Sequence, residues 1–262
     1  MKTQRSPYKL VKVAAVLKQT FISAAFLAAF ALSTAQADEI RNPLGVLELF
    51  TSQGCSSCPP ADKAAAALAD QGDIVVLSYH VDYWNYLGWT DTMSSRQNTE
   101  RQYAYGEAMG RSGVYTPQAI LNGRTQMVGT DVADLNQTFE TLAADGDGLN
   151  VPVSTTMNGD EVLIDIGAGT GKADVLVVYF KHEDKVAIKD GENKGRTITY
   201  RNIVTDVQTV GMWHGAPARI TLPARVLDPR ESDGCAILLQ ATGKKGQPGA
   251  IFGATLITAH PS

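Results

Sequence analysis

The chain has 262 residues, 44% hydrophobic and 19% charged, with 27 acidic against 23 basic side chains and a net charge of −4. That length holds one large domain or two modest ones with a substantial core, and its three cysteines are too few for a disulfide scaffold. The acidic balance argues against nucleic acid or an anionic membrane surface as partner.

The first segment has the pattern of an export signal. Lys2, Arg5, Lys9, Lys12 and Lys18 precede an apolar run over 21–32, and Ala35 and Ala37 supply small residues for cleavage. The apolar run is about half of the ~20 residues that a spanning helix needs. Residues 1–37 therefore read as a bacterial signal peptide cleaved after Ala37, with an uncleaved anchor as the other reading. The expected location is periplasmic or secreted. Taking 37 residues from 262 leaves 225, and losing five cations leaves 18 basic against 27 acidic side chains, a net charge of −9. No integral membrane segment is expected after cleavage, because nothing beyond Leu32 is long and apolar enough to span.

Residues 46–51 predict a buried strand, and the alanine-rich 60–69 predicts a helix. The nearly continuous apolar run 74–81 predicts a central strand. A polar and aromatic segment with Asp82, Tyr83, Trp84, Tyr86 and Trp89 follows. Residues 94–109 predict a helix with Ser94 as cap and Gly110 as stop. Asn122-Gly123 between apolar runs predicts a hairpin with a type I′ turn, and 131–144 predicts an amphipathic helix capped by Asp131. The order β-α-β-α-β-β-α makes a small α/β domain with helices on a mixed sheet, spanning 38–147.

A linker-like cluster at 145–150 closes this half. Beyond it the helix signals vanish. Strands are expected over 151–156, 161–166, 174–181, 197–200, 219–222, 235–241 and 250–258. Their count and spacing predict an all-β, sandwich-like C-terminal domain over 148–262.

Cys55 and Cys58 stand between the first strand and first helix, separated by Ser56-Ser57. Backbone N–H groups and the positive end of the helix dipole can stabilise a thiolate there. Zinc sites and structural disulfides also use Cys-x-x-Cys, so its surroundings decide. The sequence of strand, Cys-x-x-Cys, helix, strand, helix, then Thr116-Pro117 entering a hairpin, resembles the thioredoxin fold. The stretches 48–62 (ELFTSQGCSSCPPAD), 115–118 (YTPQ) and 191–196 (GENKGR) resemble the DUF1223 family of exported thioredoxin-like proteins over nearly all of the mature chain.

The resemblance implies a redox pair, with Cys55 attacking and Cys58 resolving, and a cis proline at Pro117 beside the disulfide. Thr116 would pair its backbone with an extended partner segment, and Tyr115 and Trp84 would line that groove. The substrate class would be protein or small-thiol disulfides, with a redox partner protein and no cofactor. The sequence departs from thioredoxin in three respects. Gly54 replaces a tryptophan, Ser56-Ser57 replaces Gly-Pro, and Pro59-Pro60 implies that the helix begins near Cys58 or Pro59 with Cys55 on the loop. Glu48 is the nearest candidate in sequence for a buried acid.

Two alternatives accompany the oxidoreductase reading. One is a non-catalytic cell-envelope binding protein with a structural disulfide. The other is a copper-handling protein using Cys55, Cys58 and His80, since thiolates with imidazole suit copper. His80 and Asp82 fall on one strand face by period. The aromatic cluster reads equally as a groove floor or as a small core beneath a loop. The basic stretch 191–196, with Lys189 and Arg201, reads as a solvated hairpin loop, with contact to the redox face or to an anionic partner as the functional alternative. Cys235 in an apolar strand reads as a buried, inert thiol, and His214 has no evident partner.

Overall fold

Alternation along the first strand sets up two cores. In the computed structural model, which describes residues 43–227, 232–243 and 246–258, β1 (Gly45–Thr51) sends Val46 and Phe50 into one core and Leu47 and Leu49 into another. The signal segment expected over 1–37 lies outside these residues. α1 (Pro59–Gln71) starts with two prolines, in the first turn where no intrahelical partner exists for the N–H they lack, with Cys58 as N-cap. Ala61, Ala64, Ala65 and Leu68 bury its inner face against Leu47 and Leu49. The helix leaves through Gly72, whose φ of 79° favours glycine.

β2 (Ile74–His80) pairs parallel to β1 from Gly45↔Ile74 to Thr51↔His80, so both strands end at one level. α2 (Arg96–Ala108) is capped by Ser95, whose Oγ accepts the Asn98 N–H at 3.1 Å. The expected cap Ser94 instead donates its hydroxyl to the Asp91 carbonyl at 2.9 Å. β3 (Gln118–Leu121) and β4 (Thr125–Met127) join through Asn122 and Gly123, with φ of 50° and 64°, the backbone that makes Asn-Gly favourable there. α3 (Val132–Ala144) begins at Asp131, whose carboxylate accepts the N–H of Ala133 and Asp134.

The second half supplies β5 (Val153–Asn158), β6 (Glu161–Ile166), β7 (Ala173–Ala187), β8 (Thr197–Trp213), β9 (Ala218–Pro223), β10 (Gly234–Thr242) and β11 (Pro248–Thr258). β5, β6 and β9 form a three-stranded antiparallel sheet. Val153, Val162 and Ile164 from it share a core with Val175, Val177 and Ile237. The other strands extend the first half in one eight-stranded mixed sheet, ordered β11-β10-β7-β8-β2-β1-β3-β4. The seam is the parallel bridge Ser78↔Ile203 between β2 and β8, reinforced by Asn202 Nδ2 donating to the Val76 carbonyl at 2.9 Å. The boundary expected at 147/148 is therefore crossed by a continuous sheet. Among the described residues, no helix is long and apolar enough to cross a membrane.

β7 and β8 run to 15 and 17 residues, well past the expected 174–181 and 197–200. Their far ends form a two-stranded ribbon, Lys181↔Ile203 to Ala187↔Thr197, that carries Lys181, Glu183 and Lys185. On β7 these polar side chains hide the strand signal past Lys181, while backbone pairing with β8 maintains the strand.

Candidate functional site

Cys55 and Cys58 form a disulfide, with a Cα–Cα separation of 5.4 Å. Both are buried, at 1% and 0% exposure. Cys55 lies on the loop, its N–H donating to the Ser52 carbonyl at 3.1 Å. Cys58 supplies the helix cap through its carbonyl, which accepts from Ala61 and Asp62 at 2.9 and 3.1 Å. Gly54 sits against Trp84: a Cβ at that position would meet Trp84 Cβ at 3.1 Å. A side chain at position 54 would therefore crowd Trp84.

Of the residues expected to line the groove, Thr116 and Trp84 are linked to the cysteine loop and Tyr115 is not. The Thr116–Pro117 peptide is cis. Ser57 Oγ lies 3.4 Å from Cys55 Sγ and 3.4 Å from the Thr116 carbonyl, to which it donates. Trp84 Nε1 donates to Thr116 Oγ1 at 2.8 Å. Tyr115 faces away from this arrangement, its hydroxyl on Gln126 Oε1 at 2.7 Å and its ring beneath the Arg111 guanidinium. Trp89 Nε1 donates to Gln53 Oε1 at 2.9 Å, while Tyr86 is exposed. The aromatic segment is therefore divided between site wall and surface.

Beneath the loop is a buried polar cluster. Its hub is Gln53, whose N–H donates to Asp91 Oδ2 at 2.8 Å. His80 Nδ1 shares the same oxygen at 2.8 Å. Burial works against a charged His80, but Asp91, helped by Asp62, outweighs it and raises its pKa. The converse holds for Asp91: burial is overcome by His80 and by the N–H groups of Gln53 and Met93, so its pKa is lowered.

Asp62, four residues after Cys58, takes the Thr51 hydroxyl at 2.6 Å. Burial raises its carboxyl to about 7 despite Thr51 and His80. Asp62 Oδ2, His80 Nε2 and the Tyr200 hydroxyl have no partner, and the Tyr200 ring packs edge-on against His80. An open cavity of about 610 Å³ borders Asp62, lined also by Pro59, Lys63, Arg196 and Arg201.

Several residues singled out in the sequence lie elsewhere. Asp82 parts from His80 and accepts the Thr99 hydroxyl at 2.7 Å. Glu48 falls on the sheet face away from α1, paired with Arg101 at 2.7 Å and hydrogen-bonded by Tyr105; the buried acid near the cysteine pair is Asp62, on α1 itself. Cys235 is buried and its thiol is pushed up to about 12. Arg201 is paired with Asp70 and Glu183, and His214 is exposed. His80 is committed to Asp91, and among the described residues no three His, Cys, Asp or Glu side chains are grouped to hold a metal.

The sequence pattern missed Gln53, Asp91 and Asp62, and left 191–196 as a loop. In the structure that loop is the tip of the β7–β8 hairpin and lies on the cysteine loop. Asn193 Nδ2 donates to the carbonyls of Gln53 and Cys55 at 3.0 and 2.8 Å. Glu192 Oε2 accepts the Ser56 N–H at 3.2 Å. The 191–196 signal was its place among the family-like stretches, with an asparagine flanked by glycines.

A protein-family model described as "Protein of unknown function (DUF1223)" matches residues 46–240. The chain is similar to a structural-genomics crystal structure of an Agrobacterium tumefaciens protein, with 53% identity and a TM-score of 0.78, covering 84% of this chain and 96% of that one. It is also similar to HBP35 of Porphyromonas gingivalis, at 13% identity and a TM-score of 0.55, covering 85% of this chain and 77% of that one. The latter likeness concerns the fold alone. No curated protein matches the chain.

Proposed function

The chain belongs to the DUF1223 family, and from that premise we propose that it is an exported thioredoxin-like thiol–disulfide oxidoreductase. The observation that carries the reading is the Cys55–Cys58 disulfide at the start of α1, facing the Thr116 carbonyl through Ser57. A thiolate is the nucleophile in exchange, and the start of a helix is a place that stabilises one. Thr116, Pro117 and Trp84 form the wall on which an extended disulfide-bearing segment would rest. Export, with cleavage after Ala37, supplies the oxidising compartment in which such a pair operates.

In the reducing direction, the Cys55 thiolate attacks one sulfur of the substrate disulfide and a substrate thiolate leaves. Cys58 then loses its proton, attacks Cys55 Sγ and releases the second thiolate. The disulfide reforms on the protein, and two electrons pass to the substrate. The near-complete burial of both cysteines favours a second reading, an inert structural disulfide in an envelope binding protein.

Trapping in the native host separates the two. With Cys58→Ser, the Cys55 thiolate has no resolving partner, so mixed disulfides should accumulate and vanish in Cys55→Ser. A folded Cys58→Ser protein that captures nothing would leave the structural reading standing.

A further inference from the structure

We propose that Glu192 makes this site charge-selective, disfavouring anionic disulfides and favouring neutral or cationic ones; the proposal rests on the oxidoreductase reading above. The geometry is that of a strap from the second half of the chain anchored across the cysteine loop. Asn193 is fully buried, and its amide bridges the carbonyls of Gln53 and Cys55. Gly191 has a φ of 74°, and a Cβ there would meet Trp89 Cβ at 3.1 Å. The tip is thus pinned on both sides of Glu192, which is itself exposed.

Its carboxylate takes the N–H of Ser56, the residue next to Cys55. Ser56 is itself exposed, so this carboxylate lies on the open side of the cysteine loop. Two cations of the strap are engaged elsewhere. Lys194 faces Asp190 at 3.5 Å, and Arg196 donates to Asn193 Oδ1 at 3.0 Å. Among the described residues none is ion-paired with Glu192. Of the acids on neighbouring elements, Asp62 is buried and Asp91 is held by His80. Lys63 on α1 lines the cavity beside Arg196. Glu192 therefore presents an exposed carboxylate, without an ion pair among the described residues, on the backbone of the residue next to Cys55. At several ångströms in a partly wet site, such a charge is worth on the order of threefold to tenfold in rate per charge on the ligand, less at high salt.

The test reads the first turnover of the reduced protein. Each molecule is reduced with dithiothreitol, desalted, and mixed with one of three disulfides: cystamine (cationic), bis(2-hydroxyethyl) disulfide (neutral) or dithiobis(2-nitrobenzoate) (anionic). One equivalent is consumed as Cys55 and Cys58 become the disulfide and the probe yields two thiols. Dividing each rate by that of the neutral probe cancels any change in the Cys55 thiolate fraction. Glu192→Gln should raise the relative rate of the anionic probe about threefold to tenfold and lower that of cystamine. Glu192→Lys should go further, and 0.5 M salt should shrink both effects. Unchanged ratios, or all three rates moving in parallel, would overturn charge selection while leaving the oxidoreductase reading intact. A reduced wild-type protein that reacts with none of the probes would sink that reading, and this proposal with it.

Discussion

Asp62 carries a carboxyl that the fold holds away from water, and that makes it a pH-sensitive residue. Its pKa is raised by burial to about 7, against an ordinary carboxylate value of 3.8. Between these limits the native protein keeps a proton that the unfolded chain releases. The native state binds more protons there, so stability falls as pH rises from about 4 to about 7, and the full penalty persists above. Asp62→Asn keeps an oxygen for the Thr51 hydroxyl and removes the charge. Its stability should match wild type near pH 4 and exceed it by about 2–4 kcal/mol at pH 8. Urea unfolding across that range measures the difference, and a gap that does not change with pH would contradict it. The sequence could show Cys55, Cys58 and Pro117, because their spacing and residue types are themselves the signal. It could not show Asp62, since an acid in a helix's first turn is ordinary surface chemistry. Its surroundings include Thr197, Thr199 and Tyr200 of β8, more than 130 residues later in the chain.

β8 is the element that turns two halves into one sheet, and it does so by little backbone pairing. Its register with β2 is the single pair Ser78↔Ile203. Asn202 supplies what the ladder lacks, with φ of 47° and an amide on the Val76 carbonyl. Asparagine tolerates that left-handed backbone, whereas alanine costs about 1 kcal/mol there, and the lost bond about another. Asn202→Ala should therefore destabilise by about 2 kcal/mol. Asn202→Gly, which relieves the backbone and loses only the bond, should cost about half as much. Equal losses in the two variants, measured by denaturant unfolding, would show that the backbone contributes nothing. The length of β8 was hidden in the sequence for a related reason. Past the expected 197–200 it runs through the exposed polar residues Thr205, Asp206, Gln208 and Thr209, so only the ladder with β7 identifies that part as strand.

At the scale of the molecule, the local order of elements was legible but the joining of the halves was not, because strand pairing between distant segments leaves no local pattern. Val46 to Phe50 and Ile74 to Val81 announce themselves as strands; nothing in them announces that β8 will lie beside β2. That joining bears on the disulfide. The shared sheet and the three cores are built by long-range apolar contacts, whereas Cys55 and Cys58 are three residues apart. Closing so short a ring removes little unfolded-chain entropy, at most about 2 kcal/mol. For a chain of this size that corresponds to a fall in Tm of no more than about 8 °C. The reduced protein should therefore keep its secondary structure and a cooperative melt, which thermal unfolding by circular dichroism with and without dithiothreitol would record. A redox pair has to exist in both states on the same fold. Loss of the native signal on reduction at 25 °C would make the disulfide a structural staple, and the envelope-binding reading would then account better for the site than catalysis.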